Sequence, residues 1–323
     1  MSLPVITSGS GKGVALTSPP RLIVEAGTNA EFAWSEYFSA TIRNPHTRRA
    51  YLRIVTRFLK WVETFEVSLD RITPSMVARF IDEYPGSAPS RKLALSAIRS
   101  FFDLMTVRHA VFINPAASVR GERYSVVEGK TLEISKKHAR ELLAAIDIST
   151  PVGLRDRAIC GVLIYTAARA GAVANLRLRD FTSDGMQYSF RFREKGGKSR
   201  SIPCRADLQE FILSYLELIE PDNATKDAPL FLTVIGRTRT FSMNSIRGSD
   251  VCRMVKRRLT DTGLPSIYTP HSFRVTTLTD LLEQGVSLED TQYLAGHADP
   301  RTTRLYDRRT KKVTRNMVER ISI

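Results

Sequence analysis

The 323-residue chain lacks any hydrophobic run long enough to cross a membrane, and its N-terminus lacks the basic and then apolar pattern of a secretion signal. These absences predict a protein that stays in the cytoplasm or on the nucleoid. Cysteine is scarce, because only Cys160, Cys204 and Cys252 are present, far apart and without a CxxC pair. They favour neither a disulfide framework nor a zinc site. A cluster of carboxylates suited to magnesium is also missing, so we expect no metal and no cofactor.

Acidic residues are too few to balance the basic ones. The 33 Asp and Glu residues face 48 Lys and Arg residues, which gives a net charge of +15 spread through both halves of the chain. Such an excess points to a polyanionic partner, most simply nucleic acid. The 42% apolar and 25% charged content is typical of a globular protein, and the length leaves room for two domains.

The N-terminal stretch 1–28 is rich in Ser, Gly and Pro and shows no hydrophobic period. We expect a disordered leader there. From residue 29 to residue 119 the apolar spacing is helical. Asn44-Pro45 and Thr73-Pro74 each pair an N-cap with a proline at the first helical position. Four helices in about ninety residues predict a small bundle with its own core.

The polar faces of two helices in this bundle are strongly basic near their starts. A solvated helix face is the ordinary explanation, but the concentration of charge favours contact with DNA phosphates. The residues predicted to make that contact are Arg48, Arg49, Arg91, Lys92 and Arg99.

A charged link at 120–131 follows Asn114-Pro115 and separates the bundle from a second domain, 132–323. Helices are expected from Lys136, Pro151 and Leu208, and a hairpin runs from Gln187 to Pro203 around a Gly-Gly turn. The stretch 241–262 is expected to be helical, with Arg257 on a further DNA-facing surface. The fold class predicted for the whole chain is therefore mainly α with a small β-sheet.

The stretch from Thr269 to Tyr306 contains several side chains that could take part in a reaction on a phosphate. Thr269 and Pro270 begin a helix on which His271 and Arg274 share one face, beside free backbone N–H groups that suit a phosphate. A short helix then ends at Gly296-His297, and Tyr306 follows in a polar segment. Each residue alone has an ordinary structural explanation, but the order HxxR, GH and Tyr is harder to dismiss.

This order resembles the C-terminal half of the tyrosine site-specific recombinases, the phage-integrase family with its Xer-like and Cre-like members. The resemblance implies that His271, Arg274 and His297 act with the nucleophile Tyr306. It also implies a helical core-binding (SAM-like) bundle followed by an α+β catalytic domain.

The resemblance assigns two further catalytic residues. Arg169 stands in a small, apolar segment where an arginine needs an anion, and the family carries its first active-site arginine there. Lys195, the first of two lysines in the hairpin turn, takes the place of the family's catalytic lysine. The chain departs from the family in having Ala167-Ala168 instead of Gly-Leu, and Ala172 instead of an acidic residue. These departures bear on how Arg169 is oriented.

The implied chemistry is metal-independent cleavage and rejoining of DNA. Two arginines hold the nonbridging phosphate oxygens, the histidines take the phenol proton or stabilise the pentacoordinate phosphate, and the lysine protonates the leaving 5′ oxygen. The resemblance further implies a 3′-phosphotyrosine intermediate and four protomers on two DNA sites that pass through a Holliday junction. The apolar side of Val313–Ile323 predicts a short helix that docks on the neighbouring protomer.

Two alternatives to a recombinase remain open at this stage. A type IB topoisomerase would use similar chemistry on one duplex, and a catalytically silent accessory protein would only bind DNA. Integration or excision of a mobile element and resolution of replicon dimers are equally compatible with the sequence, with or without accessory proteins.

Overall fold

The computed structural model describes residues 18–122, 131–193, 199–219, 225–236, 238, 240–265, 267–307 and 319. The chain divides into two compact units between Ser125 and Val126. Each unit has its own hydrophobic core.

The first unit is a helical bundle. Its α-helices are α1 (Arg21–Glu25), α2 (Thr28–Glu36), α3 (Pro45–Glu63), α4 (Pro74–Asp82) and α5 (Ala88–Val107). A π-helical turn, Tyr37–Thr41, follows α2.

The second unit is α+β. Its α-helices are α6 (Lys136–Ala145), α7 (Pro151–Tyr165), α8 (Ala170–Ala174), α9 (Ala206–Ile219), α10 (Gly248–Asp261), α11 (Pro270–Glu283), α12 (Leu288–Ala295) and α13 (Pro300–Arg304). Its strands are β1 (Phe181–Ser183), β2 (Tyr188–Arg193), β3 (Ser199–Pro203), β4 (Leu232–Val234) and β5 (Phe241–Ser245).

The predicted helix starts in the bundle are formed by side-chain caps. Asn44 Oδ1 accepts the His46 backbone N–H at 2.9 Å, and Thr73 Oγ1 accepts that of Met76 at 3.3 Å. The bundle core is rich in aromatic rings, and Phe101 contacts several of them at once. Each fully buried aromatic contributes about 1.5–3 kcal/mol relative to exposure. The bundle therefore forms from local helical patterns joined by one aromatic core.

The disordered leader expected over 1–28 is wrong for its last residues. Residues 21–25 form α1, and Leu22 and Ile23 are buried in the bundle core. The Leu22 backbone N–H also donates to Glu63 Oε1 at 3.2 Å. The apolar run Leu22–Val24 is too short to predict a helix within a segment rich in Ser, Gly and Pro. Residues 1–17 lie outside the described part of the chain.

The second unit is built on α7, which is buried along most of its length. A three-stranded antiparallel sheet, β1–β2–β3, lies in this unit, with Phe190 opposite Ile202 and Phe192 opposite Arg200. A second antiparallel pair joins β4 to β5. The predicted hairpin is confirmed in β2 and β3. The helix expected over 241–262 is wrong for 241–245, because that segment pairs with β4 and the helix begins only at Gly248.

A buried carboxylate joins α7 to α10. Asp156 is fully buried and accepts hydrogen bonds from Arg155 at 2.7 Å, Arg257 at 2.8 Å and Arg258 at 2.8 Å. Removing one partner of such a buried ionic group is costly, because the others remain desolvated. The guanidinium of Arg257 is therefore engaged within the fold, although 54% of its side chain is exposed. Contact of Arg257 with DNA stays a prediction.

None of the helices in the described ranges is long and apolar enough to span a membrane. Within the same ranges, no group of three or more His, Cys, Asp or Glu side chains is arranged to hold a metal ion. The segment 313–323, with its predicted docking helix, falls almost entirely outside the described residues.

Candidate active site

Helix α11 positions two of the predicted catalytic side chains. The Thr269 backbone N–H donates to Ser272 Oγ at 3.1 Å, and Pro270 occupies the first helical position. Farther along, Thr277 Oγ1 donates to the Ile164 carbonyl of α7 at 2.6 Å. The middle of α11 is thus bound to the buried helix α7.

Arg274 lies in the interior with no exposed surface. Its Nη1 donates to the Ala167 carbonyl at 2.5 Å, and its Nη2 donates to the Ala295 carbonyl at 2.6 Å. Burial, followed by the nearby positive charge of Arg169, lowers the pKa of Arg274 to about 10. Arg274 therefore remains a cation at neutral pH and is held by backbone carbonyls from two separate segments.

The Ala167 backbone explains one departure from the family pattern. Ala167 has φ +49° in the left-handed region, where a Cβ costs roughly 1–2 kcal/mol and glycine does not. The glycine usual in the family would occupy this conformation freely. The fixed conformation matters for the site, because it is the Ala167 carbonyl that accepts from Arg274.

Arg169 lies at the surface beside a buried segment. The neighbouring Ala167 and Ala168 are buried, but Arg169 itself is exposed at the start of α8. No carboxylate in the described part of the chain forms an ion pair with it. Arg169 is exposed where the chain begins α8, although the segment around it is small and apolar. The positive charge of Arg169 nevertheless lowers the pKa of Arg274, His271 and His297, so it lies within their electrostatic range.

The hydroxyl of Tyr306 lies beside an imidazole. Tyr306 Oη is 3.4 Å from His271 Nε2, and only 7% of Tyr306 is exposed. Partial burial of the His271 ring lowers its pKa, and the charges of Arg274 and Arg169 lower it further. His271 is therefore kept neutral near pH 7, in the form that can accept a proton.

His297 is held on three sides. The Gly296 backbone is left-handed (φ +60°) and ends α12, which turns His297 back towards the site. Its Nδ1 lies 2.8 Å from Thr303 Oγ1, and its carbonyl accepts from Gln292 Nε2 at 2.9 Å. Its ring stacks on that of Tyr306, with centroids 5.7 Å apart and planes at 12°. Burial, then the charges of the surrounding arginines, lowers the pKa of His297 to about 3.

Arg200 is a site residue that the sequence reasoning missed. It is buried on β3, and its guanidinium lies 5.0 Å from the Phe192 ring centroid. Its charge lowers the pKa of both Arg274 and His297. The signal was available, because Arg200 and Ile202 alternate as the inward-facing residues of β3. An arginine at an inward position needs a reason.

The hairpin turn 194–198, with Lys195 and the neighbouring Lys198, lies outside the described residues. The structure brings together the other five residues named for catalysis, which are Arg169, His271, Arg274, His297 and Tyr306.

The predicted DNA contacts of the bundle have different surroundings. Arg99 donates to the Ala116 and Val119 carbonyls at 3.2 and 2.7 Å. Arg48 donates to the Ile42 carbonyl at 3.0 Å, and Arg91 forms an ion pair with Glu122 at 2.6 Å. These guanidinium groups are engaged in the bundle.

Arg49 and Lys92, in contrast, are exposed, and no carboxylate of the described chain pairs with either. Among the five bundle residues named for DNA contact, these two have their charges most available to a phosphate.

The electrostatics of the site define what it can bind. The permanently charged groups that shift the pKa of His297 are all cationic, namely Arg274, Arg169 and Arg200. A set of clustered guanidinium groups beside two neutral imidazoles and a phenol suits a phosphate, since guanidinium forms forked hydrogen bonds with phosphate oxygens.

Fold and site together describe a class: a helical bundle, followed in the chain by an α+β unit with a cationic Arg, His and Tyr site. Residues 133–312 match the phage integrase family, and residues 33–109 match the N-terminal SAM-like domain of phage integrases. The chain therefore belongs to the phage integrase family of tyrosine recombinases, enzymes that cleave and rejoin DNA.

Curated relatives are similar along most of the chain. A tyrosine recombinase XerD from Staphylococcus saprophyticus is 26% identical over 278 residues, which cover 84% of this chain and 90% of the relative. A tyrosine recombinase XerC from Chlamydia pneumoniae is 31% identical over 218 residues, covering 67% of this chain and 66% of the relative.

Solved structures share the fold at lower identity. The XerH site-specific recombinase in a pre-cleavage complex with difH has a TM-score of 0.66 and 20% identity, covering 91% of this chain and 88% of that one. A lambda integrase tetramer bound to a Holliday junction has a TM-score of 0.64 and 19% identity, covering 88% and 79%. These similarities confirm the predicted fold class, mainly α with small sheets.

Proposed function

We propose that this chain is a site-specific DNA recombinase that cleaves one strand through Tyr306 and forms a 3′-phosphotyrosine intermediate. The observation that carries the proposal is the 3.4 Å approach of Tyr306 Oη to His271 Nε2 beside the buried cation Arg274. A phenol has a pKa near 10, so attack at neutral pH requires a base within hydrogen-bond reach.

The attack step follows from the protonation states. His271 is neutral and takes the Tyr306 proton on Nε2 as the phenolate oxygen bonds to phosphorus. The bond from phosphorus to the 5′ oxygen breaks, and that oxygen takes a proton from a general acid. Rejoining reverses these steps, with a free 5′ hydroxyl as nucleophile and Tyr306 as leaving group. The bond energy of the phosphodiester is thereby kept in the protein–DNA link.

Arg169 and Arg274 act on the nonbridging oxygens. Their positive charges repel each other, and a phosphate transition state that gains negative charge would offset this repulsion. Fixed donors cost no reorganisation as charge develops, and Arg274 is fixed by the carbonyls of Ala167 and Ala295. His297 supplies a further donor to the same phosphate.

Lys195 is our candidate for the general acid. In the sequence it lies between β2 and β3, and β3 carries Arg200, whose charge acts on His297 and Arg274. Neighbouring arginines lower the pKa of a lysine and so favour proton transfer to the departing oxygen. Lys198 is the competing residue in the same turn.

The partners are double-stranded DNA and further copies of this chain. The net charge of +15 supports contact with phosphates by both units, with Arg49 and Lys92 available on the bundle. The structural relatives include XerH bound to difH and a lambda integrase tetramer on a Holliday junction. We infer the same order of events here: assembly of four protomers on two sites, exchange of strands and a junction intermediate.

Covalent trapping tests the proposal. The substrate is a nicked duplex carrying a site selected from a random-sequence pool by binding to the protein. Wild-type chain should form a denaturation-resistant adduct on it, and Tyr306→Phe should bind with unchanged affinity but form none.

Tyr293→Phe is the matched control. Tyr293 is 60% exposed on α12, so this substitution removes a phenol hydroxyl outside the site. It should form the adduct at the wild-type rate. An adduct with Tyr306→Phe, or none with the wild type, would overturn the proposal. A wild-type chain that forms adducts but no junction from two sites would act as a nicking and closing enzyme instead.

A further inference from the structure

Thr303 lies in the site without a part in the reaction described so far. It belongs to α13, three residues before Tyr306, and is fully buried. Its Oγ1 is 2.8 Å from His297 Nδ1. The Tyr306 backbone N–H donates to the Thr303 carbonyl at 3.0 Å, so one turn of chain carries both the hydroxyl and the nucleophile.

The direction of this hydrogen bond follows from burial. A hydroxyl carries one proton to donate, and a buried donor without an acceptor costs about 1–3 kcal/mol. Among the described residues, the only hydrogen-bond partner of the Thr303 hydroxyl is His297 Nδ1. The carbonyl of Asp299, one turn earlier, accepts the Thr302 backbone N–H instead. The Thr303 hydroxyl therefore donates, and His297 Nδ1 accepts.

The proton of His297 must then lie on the other nitrogen. Burial and the surrounding positive charges keep the pKa of His297 far below 7, so the ring carries one proton. With Nδ1 used as an acceptor, that proton is on Nε2.

We propose that Thr303 is a positioning residue that holds His297 in the tautomer with its proton on Nε2, so that the imidazole donates a hydrogen bond to the scissile phosphate. This inference rests on the proposed function for the identity of the phosphate, but the tautomer itself does not depend on it. The opposite tautomer would present a lone pair to a phosphate oxygen, which is repulsive.

The two histidines of the site then have opposite tautomers. His271 Nε2 faces Tyr306 Oη and must be unprotonated to take the phenol proton, whereas His297 Nε2 must be protonated to donate. Two residues of the same type thereby serve as base and as hydrogen-bond donor. The Thr303 hydroxyl sets the tautomer of His297, and Thr303 lies in the same turn of chain as Tyr306.

The tautomer can be measured directly. Histidine ring nitrogens labelled with ¹⁵N give distinct two-bond proton–nitrogen patterns for the two tautomers, and the chain has only five histidines. The His297→Asn spectrum identifies the signals of His297. We expect an Nε2–H pattern for His297 in the wild-type chain at neutral pH, and a shift towards a tautomer mixture in Thr303→Val. An Nδ1–H pattern in the wild type would overturn the inference.

Activity provides the second readout, on the nicked duplex described above. Thr303→Val keeps the shape of the side chain and removes the hydroxyl, and we expect cleavage to slow by a factor on the order of 10 to 10², as for other lost partners of a functional histidine. Thr303→Ser keeps the hydroxyl and should restore most of the rate. DNA affinity should be unchanged in both.

Thr302→Val is the matched control, because Thr302 is the preceding residue on α13 and its side chain forms no hydrogen bond with His297. It should cleave at the wild-type rate. Wild-type cleavage by a folded Thr303→Val, or equal slowing in Thr303→Ser, would overturn the inference. If Thr303→Val does not fold, the wild-type tautomer and the Thr303→Ser rate still decide. Failure of the wild-type chain to form any adduct would instead contradict the proposed function.

Discussion

At the scale of single residues, Arg169 and Arg274, the two arginines proposed to bind the scissile phosphate, lie in two different environments. Arg274 has no exposed surface and is bound to two carbonyls, whereas Arg169 is exposed and has no carboxylate partner in the described chain. Arg274 is therefore part of the core, whereas the position of Arg169 is set by the backbone at the start of α8. Replacing either arginine should therefore slow cleavage, but only replacing Arg274 should also lower the stability of the fold.

We expect Arg169→Ala and Arg274→Ala each to slow adduct formation by about 10²–10³, as for a lost transition-state donor. Arg274→Ala should also lower the free energy of unfolding by about 1–3 kcal/mol, because the carbonyls of Ala167 and Ala295 lose their donor. Arg169→Ala should change it by no more than about 0.5 kcal/mol, as usual at a surface position. Denaturant unfolding and the nicked substrate measure both quantities. Equal loss of stability in the two variants would contradict the assigned environments.

His297 predicts a dependence of stability on pH. Its pKa is about 3 in the folded chain and 6.5 in the unfolded chain, so above pH 6.5 it is neutral in both. Between these values the unfolded chain binds a proton that the folded chain does not. Stability should therefore fall as the pH drops from 6.5 towards 3, by up to about 1.4 kcal/mol per pH unit from this group.

The measurement is the free energy of unfolding at several pH values within that window, for wild type and for His297→Asn. Subtracting the two curves removes the carboxylates that titrate in both proteins. The difference should shrink as the pH falls. A difference that is constant from pH 6.5 downward would mean that His297 titrates alike in both states.

At the scale of elements, α5 shows how one basic helix face divides into structural and available charges. Arg99 donates to the carbonyls of Ala116 and Val119 and so fixes the segment that follows the helix. Lys92, two turns earlier, is exposed. Helical spacing alone gives both residues the same polar face, and only the path of the later segment distinguishes them.

We expect Arg99→Met to lower the stability of the bundle by about 1–3 kcal/mol, since two carbonyls lose a charged donor. Its DNA affinity should change little. Lys92→Met should leave stability within about 0.5 kcal/mol of wild type. It should make the slope of log affinity against log salt shallower by about 0.9, the value for one phosphate contact. Binding titrations at several salt concentrations, with thermal unfolding, test both. The reverse pattern would show that Arg99 is the phosphate contact.

At the scale of the whole molecule, two units with separate cores carry one excess of positive charge. The aromatic core stabilises the bundle, and a separate core that includes residues of α7 stabilises the second unit. Each unit therefore has the core to hold its own shape. Assembly of several protomers then requires a contact outside these cores, and the spacing of Val313, Met317 and Ile321 predicts one in the C-terminal segment.

Deletion of 313–323 should leave binding of a single DNA site intact, because every residue named for catalysis or phosphate contact precedes it. Synapsis of two sites and junction formation should be lost, because the apolar helix face loses its place on the neighbouring protomer. Gel shifts with one site and with two sites measure these steps. A full-length variant with Met317→Glu and Ile321→Glu should behave like the deletion. Junction formation by either protein would contradict docking in trans.

Most elements and the family could be predicted from local patterns in the sequence. Caps at Asn44 and Thr73, the hairpin and the order His271, Arg274, His297, Tyr306 are local patterns, and local patterns are set by hydrogen bonds and spacing within a few residues. The helix missed at 21–25 and the strand missed at 241–245 are short segments. The first contacts α3, about forty residues later in the chain, through the hydrogen bond from Leu22 to Glu63, and the second is set by pairing with the neighbouring strand β4.

Which side chains are buried, paired or neutral could not be predicted from the sequence, because it depends on how separate segments pack. Arg169 stands in an apolar segment and is exposed, whereas Arg200 was overlooked and is buried in the site. The tautomer of His297 depends on a hydroxyl six residues away, and the hold on Arg274 depends on carbonyls at Ala167 and Ala295. These properties arise from desolvation and from the direction of single hydrogen bonds. Desolvation and these hydrogen bonds arise only when separate segments of the chain pack together and exclude water from the site.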